Sequence, residues 1–140
     1  MTLIESIRTY LLTFSSLESG GLVNVDHLGQ TPGEYSIIPL PGERIVESYI
    51  DGGSSREYPF AFQAVVSTSD NAERMDTNGF YEALADWFET QTESGVLPTL
   101  SAKKTATSIE TTSWGYLFEE GQSDTGIYQV TCKLTYEQQP

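Results

Sequence analysis

One histidine, one cysteine and 20 acidic residues are the side chains from which a catalytic or metal site in this chain would be built. His27 lies in the run Asn24-Val25-Asp26-His27-Leu28-Gly29. A Ser-His-Asp triad or a Cys-His pair needs this histidine as its base. Asp26 is poorly placed to orient it, because neighbours along an extended segment point to opposite faces. His27 therefore reads as an exposed loop residue. Cys132 falls in phase with Val130 and Leu134, where a thiol packs as a small hydrophobe. One His and one Cys among scattered carboxylates make no zinc site.

The carboxylates invite a paired-acid glycosidase reading, which requires two of them to converge. They are spread along the chain, and no spacing brings a given pair together. The set Glu82, Asp86, Glu89 and Glu93 repeats at i+4, i+3 and i+4, an acidic stripe along one side of a helix. Like charges at these spacings mildly destabilise an isolated helix, so the stripe faces water or meets a basic partner. Gly52 and Gly53 sit between two strand-like runs and lack the spacing and following helix of a phosphate loop. Trp87 and Trp114 could line a cleft, but their in-phase apolar neighbours read as core or interface. No enzyme, metal or cofactor is expected. What remains are candidate interface residues: Asp51, Arg56 and Glu57 around one hairpin tip, Glu82, Asp86 and Glu89 on a helix, and Glu119, Glu120 and Asp124 at a second tip. Such tips reach a neighbouring subunit or stand in solvent as loops.

These residues must be positioned by a small set of elements. Residues 2–14 read as a helix, with Thr2 as cap, Glu5 three residues on, and Ile4, Ile7, Leu11 and Phe14 at helical spacing. Short strands are expected at residues 22–25 and 35–38. A hairpin follows, with arms at 43–50 and 58–67 and a turn at 51–55. In the second arm Tyr58, Phe60, Phe62, Ala64 and Val66 share a face, and Ala61, Gln63 and Val65 make the other only partly polar. Residues 68–78 read as capping and turn chemistry before a second helix, whose stripe is Phe80, Tyr81, Leu84, Trp87 and Phe88. Gly95 stops it and Pro98 follows. From Lys103 the chain is β-like: Trp114, Tyr116 and Phe118 alternate, residues 119–124 form a polar turn, and Tyr128, Val130, Cys132, Leu134 and Tyr136 face one way. The expectation is a single α+β domain, residues 1–140: a mostly antiparallel sheet with two helices packed on one face and projecting hairpins.

At 140 residues a single core is the norm. A net charge of −13, with Lys103-Lys104 the one adjacent basic pair, opposes DNA gripping and adhesion to anionic membranes. The 38% apolar content sets disorder aside. No signal sequence or membrane span is expected, and the single cysteine fits a reducing compartment.

The runs Gly95-Val96-Leu97-Pro98-Thr99-Leu100, Trp114-Gly115-Tyr116-Leu117-Phe118 and Ile127-Tyr128-Gln129-Val130-Thr131-Cys132-Lys133-Leu134-Thr135-Tyr136 resemble minor capsid proteins of the tail terminator (tail completion) family from prophages and long-tailed phages. The Phe80 to Phe88 helix and the early hairpin fit the same pattern, so the similarity spans nearly the whole chain. It implies a structural virion protein at the head–tail junction, working in the virion or, during assembly, in the bacterial cytoplasm. The implied partners are further copies of itself in a ring (a hexamer), the major tail protein and head completion proteins, with DNA only as passing cargo. An acidic lumen would let DNA slide through. The alternative is an acidic protein-binding module, a nucleic-acid-mimicking decoy for a basic partner.

Overall fold

The computed structural model describes residues 2–14, 23–25, 35–41, 45–67, 71–113, 116–120 and 125–140. For residues 23–25, 66–67, 71–78, 116–120 and 125 the description is of the backbone alone. The elements in chain order are α1 (Leu3–Leu11), β1 (Val23–Val25), β2 (Tyr35–Pro39), β3 (Ile45–Ser48), β4 (Ser54–Ser67), α2 (Asn71–Ser94), β5 (Lys104–Thr111), β6 (Tyr116–Glu120) and β7 (Thr125–Gln138).

The alternation in β7 needs a partner strand of matching length, and β4 supplies it. The two pair antiparallel through all 14 of their residues, from Ser54 opposite Gln138 to Ser67 opposite Thr125. The remaining strands divide along this ribbon. At one end β3 joins β4 and β5 joins β7; at the other β2 joins β4, β6 joins β7, and β1 adds to β2 in parallel. The fold is α+β with a mostly antiparallel sheet, as expected.

Facing pairs Ile37–Phe62, Phe62–Val130, Phe60–Cys132 and Ile109–Leu134 set one apolar face, and all seven side chains are at most 1% exposed. Both helices pack on that face. From α1 come Ile7, Tyr10 and Leu11, with Phe14 just beyond; from α2 come Tyr81, Leu84 and Phe88. Aromatic contacts join the layers: Tyr10 and Phe14 lie 4.9 and 5.0 Å from Trp87, and Phe80 lies 5.9 Å from Tyr35, itself 5.6 Å from Phe62. Each such pair adds about 0.5–1.5 kcal/mol beyond area burial. Trp87 is thus a partly buried aromatic packed against the core, while Trp114 lies outside the described residues.

The ends of the helices follow local chemistry. Thr2 Oγ1 accepts from the Glu5 amide at 3.2 Å, the N-cap read from sequence. Gly95, at φ +75°, closes α2. Its amide donates to the Thr92 carbonyl and that of Val96 to the Gln91 carbonyl, the two bonds of a Schellman motif.

Several boundaries differ from the sequence reading. α1 ends at Leu11, three residues short of Phe14, and β3 covers only Ile45–Ser48 of the expected first arm. α2 begins at Asn71, within the stretch read as capping and turn; propagating a helix outward from an anchored aromatic stripe costs far less than nucleating one. β4 begins at Ser54, four residues before the expected arm, because β7 continues opposite it and its ladder satisfies the polar segment's backbone. The hairpin turn is correspondingly shifted. Tyr49 pairs with Gly53 and Gly52 donates to the Tyr49 carbonyl, so the loop is residues 50–52, with Gly52 at φ +93° in the left-handed position such a three-residue loop requires. β6 reaches Glu120, so Glu119 and Glu120 sit in a strand.

Ala61, Gln63, Val65, Ser36 and Gln129 on the second sheet face are also buried. Gln63 Nε2 donates to Gln129 Oε1 at 2.6 Å directly across β4 and β7. The face read as only partly polar is covered at its centre.

Candidate functional site

The apolar stripe of α2 turns down onto the sheet, so the acidic residues between its positions turn outward. Glu82, Asp86, Glu89 and Glu93 are all exposed. Asp86, Glu89 and Glu93 then line a groove of about 600 Å³ between α2 and the edge strand β5, with Glu110 on the strand side. Glu82, one turn earlier, is not part of its lining. The floor is fixed by Thr92. Its hydroxyl donates to the Ile109 carbonyl at 3.1 Å and accepts from the Ile109 amide at 3.2 Å, occupying an edge position that a foreign strand could otherwise use.

Chemically this groove is an open anionic surface. Among the described residues no three His, Cys, Asp or Glu side chains come together to hold a metal ion. Such a surface can take a basic segment, and like-charge crowding on α2 is relieved when it does.

The other expected interface residues go elsewhere. Asp51 stands exposed in the hairpin loop, its Oδ1 accepting from the Gly53 amide at 2.8 Å. Arg56 is half-buried, and its Nε donates to Ser54 Oγ at 2.8 Å. Glu57 lies on the second sheet face, 2.8 Å from Lys133 Nζ, which also meets Glu110 at 3.2 Å. These two hydrogen-bonded carboxylates hold the Lys133 ammonium above its ordinary pKa. Glu119 and Glu120 are paired through their backbones with Ile127 and Gly126, and Asp124 and His27 lie outside the described residues. The set read as one kind of surface is thus divided among a hairpin tip, a sheet face and a helix–strand groove.

Cys132 is buried; burial pushes its thiol well above the ordinary range, so the reactive thiolate is disfavoured. Burial likewise raises the Tyr81 phenol, whose hydroxyl donates to the Tyr128 carbonyl at 2.8 Å.

One feature escaped the sequence reading. All four residues of β3 are exposed, and Ile45, Val46, Tyr49 and Ile50 present an apolar arm, with Ile50 fully in solvent. The Tyr49 hydroxyl donates to Glu137 Oε1 at 3.3 Å; lost hydration, then the charges of Glu137 and Glu47, raise its pKa. The signal was present in two adjacent apolar pairs, Ile45-Val46 and Tyr49-Ile50, which fit neither strand alternation nor a polar turn. Among the described residues no helix is long and apolar enough to cross a membrane. The sequence matches no known protein family and no curated protein.

Proposed function

We propose that the chain is a structural, non-catalytic virion or prophage protein: a ring-forming tail terminator that caps the tail tube and joins it to the head. The observation that carries the reading is the β3–β4 hairpin, an arm exposed on all of its first strand and bearing Ile45, Val46, Tyr49 and Ile50 in solvent. Large apolar side chains exposed together on one arm are the kind of surface that a protein contact covers. The acidic character is consistent with a channel through which DNA passes without being held. Further copies of the chain, the major tail protein and head completion proteins are the partners in this reading, with assembly in the bacterial cytoplasm.

Negative-stain microscopy tests it, on the protein alone and mixed with tail tubes. Rings of about six subunits, or tubes that stop growing with a cap at one end, are the expected result. A protein that stays monomeric at high concentration and leaves tube growth unchanged overturns it.

The α2–β5 groove favours a second reading, an acidic module that occupies the nucleic-acid site of a basic protein. Asp86, Glu89 and Glu93 line the groove along α2, with Glu110, whose carboxylate is paired with Lys133, on the strand side. Capture of a basic nucleic-acid-binding protein that is lost on changing Glu82, Asp86 and Glu89 to Gln supports this reading; no capture at low salt ends it.

A further inference from the structure

The large apolar side chains exposed among the described residues fall in two places. Ile45, Val46, Tyr49 and Ile50 belong to the β3–β4 arm. Leu12 and Val96 flank a groove of about 390 Å³ between α1 and residues 97–101, each adjoining a wall residue, Thr13 and Leu97 respectively. Tyr10, Leu97, Pro98 and Leu100 make the walls apolar. The Tyr10 hydroxyl donates to the Val96 carbonyl at 2.9 Å, bracing the two sides against each other.

Ser6 also lines this groove. It is only 3% exposed, and its Oγ has no hydrogen-bond partner among the described residues. Buried hydroxyls in folded proteins are nearly always satisfied. The Ser6 oxygen is itself closed off from solvent, so what the groove offers an occupant is its apolar walls. A hairpin tip with an apolar side chain at its apex suits them.

The arm fits by charge as well as by polarity. Beyond Ser101 at one end of the groove come Lys103 and Lys104, the chain's one adjacent basic pair, while the arm carries exposed Glu47 and Asp51. From this complementarity we infer that the hairpin tip of one copy, led by Ile50, docks in the α1 groove of a second copy. The contact joins two different surfaces and is heterologous, so repetition closes a ring or runs on as a filament. It deepens the ring reading above and rests on it for the expectation that copies of this chain associate. A tip in a groove falls short of the about 1,200 Å² that specific interfaces usually bury, so the contact is weak between free copies and gains from closure.

Engineered cysteines separate the possibilities, since native Cys132 is buried. Ile50→Cys and Thr99→Cys variants, both at exposed positions, are oxidised singly and as a mixture, and sedimentation of the full chain is compared with that of Ile50→Asp. The expected result is a disulfide-linked dimer formed only in the mixture, together with self-association weakened about tenfold or more by Ile50→Asp at an unchanged melting temperature. If wild type and Ile50→Asp associate equally and the mixture stays unlinked, the docking is wrong and the ring uses other surfaces. Linkage of Ile50→Cys to itself with none in the mixture also overturns it, by making the contact tip to tip. A chain monomeric throughout, with no mixed disulfide, overturns the docking too, and the ring reading is then decided by the tail-tube experiment.

Discussion

Replacing Gln63 by Leu tests whether the second sheet face is covered. Gln63 is 6% exposed and Gln129 7%, and the Gln63 amide donates to Gln129 Oε1 at 2.6 Å across the β4–β7 ribbon. Leu keeps roughly the volume and removes the donor. The remaining glutamine then holds a buried acceptor that has lost this donor, a deficit of about 1–3 kcal/mol. Gln129→Leu removes the bond from the other side and costs a similar amount. The double variant leaves neither partner behind, and replacing both ends of a hydrogen bond by apolar groups is nearly neutral. The cycle is therefore expected to be strongly non-additive, with a coupling energy as large as the two single costs together, about 2–6 kcal/mol. Urea unfolding followed by circular dichroism gives the four stabilities. Single variants within about 0.5 kcal/mol of wild type, as for exposed sites, or additivity within about 0.5 kcal/mol, refute the buried pair.

Three further outcomes are expected. Alkali unfolds the protein early: burial raises the Cys132 thiol, the Tyr10 phenol (to about 12) and the Tyr81 phenol, and bonding to Glu57 and Glu110 raises Lys133. Each folded pKa lies above its unfolded value, so each contribution is whole below the unfolded value and is lost as pH rises through the folded one. The decline starts near pH ~8.5, where an unfolded thiol ionises, and Cys132→Ala delays it to about pH 10; a urea midpoint in wild type that stays flat between those values contradicts this. Gly95→Ala, at φ +75°, costs about 1–2 kcal/mol, and an unchanged thermal midpoint counts against the Schellman end. Thr92→Val strips both bonds from Ile109 and speeds exchange of that amide several-fold by hydrogen-exchange NMR, whereas unaltered protection excludes the edge-capping role.

Local chemistry was readable where one or two residues decide the matter. The Thr2 cap, the Gly95 stop and the alternation of Tyr128 to Tyr136 all appear as read, because capping atoms, a left-handed backbone and a period of two are properties of a few neighbours in sequence. Boundaries set by a distant partner were not readable. Ser54 and its neighbours carry no strong strand preference and join β4 because β7 runs opposite them. Residues 71–78 look like turn chemistry and become helix because the stripe beyond them is anchored.

The same division holds for the candidate surfaces. The sequence alone determined that the carboxylates belong to the outside, since a helix that buries Tyr81, Leu84 and Phe88 turns Glu82, Asp86 and Glu89 away. The tertiary structure set which of them share a surface: Asp86, Glu89 and Glu93 line the α2–β5 groove, while Glu57 and Glu110 are both tied to Lys133. It also decided that Ile45, Val46, Tyr49 and Ile50 stand in solvent. Helical and strand periods fix which way a side chain points from its own element, but what lies opposite depends on sheet order and register, which are settled by contacts between residues far apart in the chain.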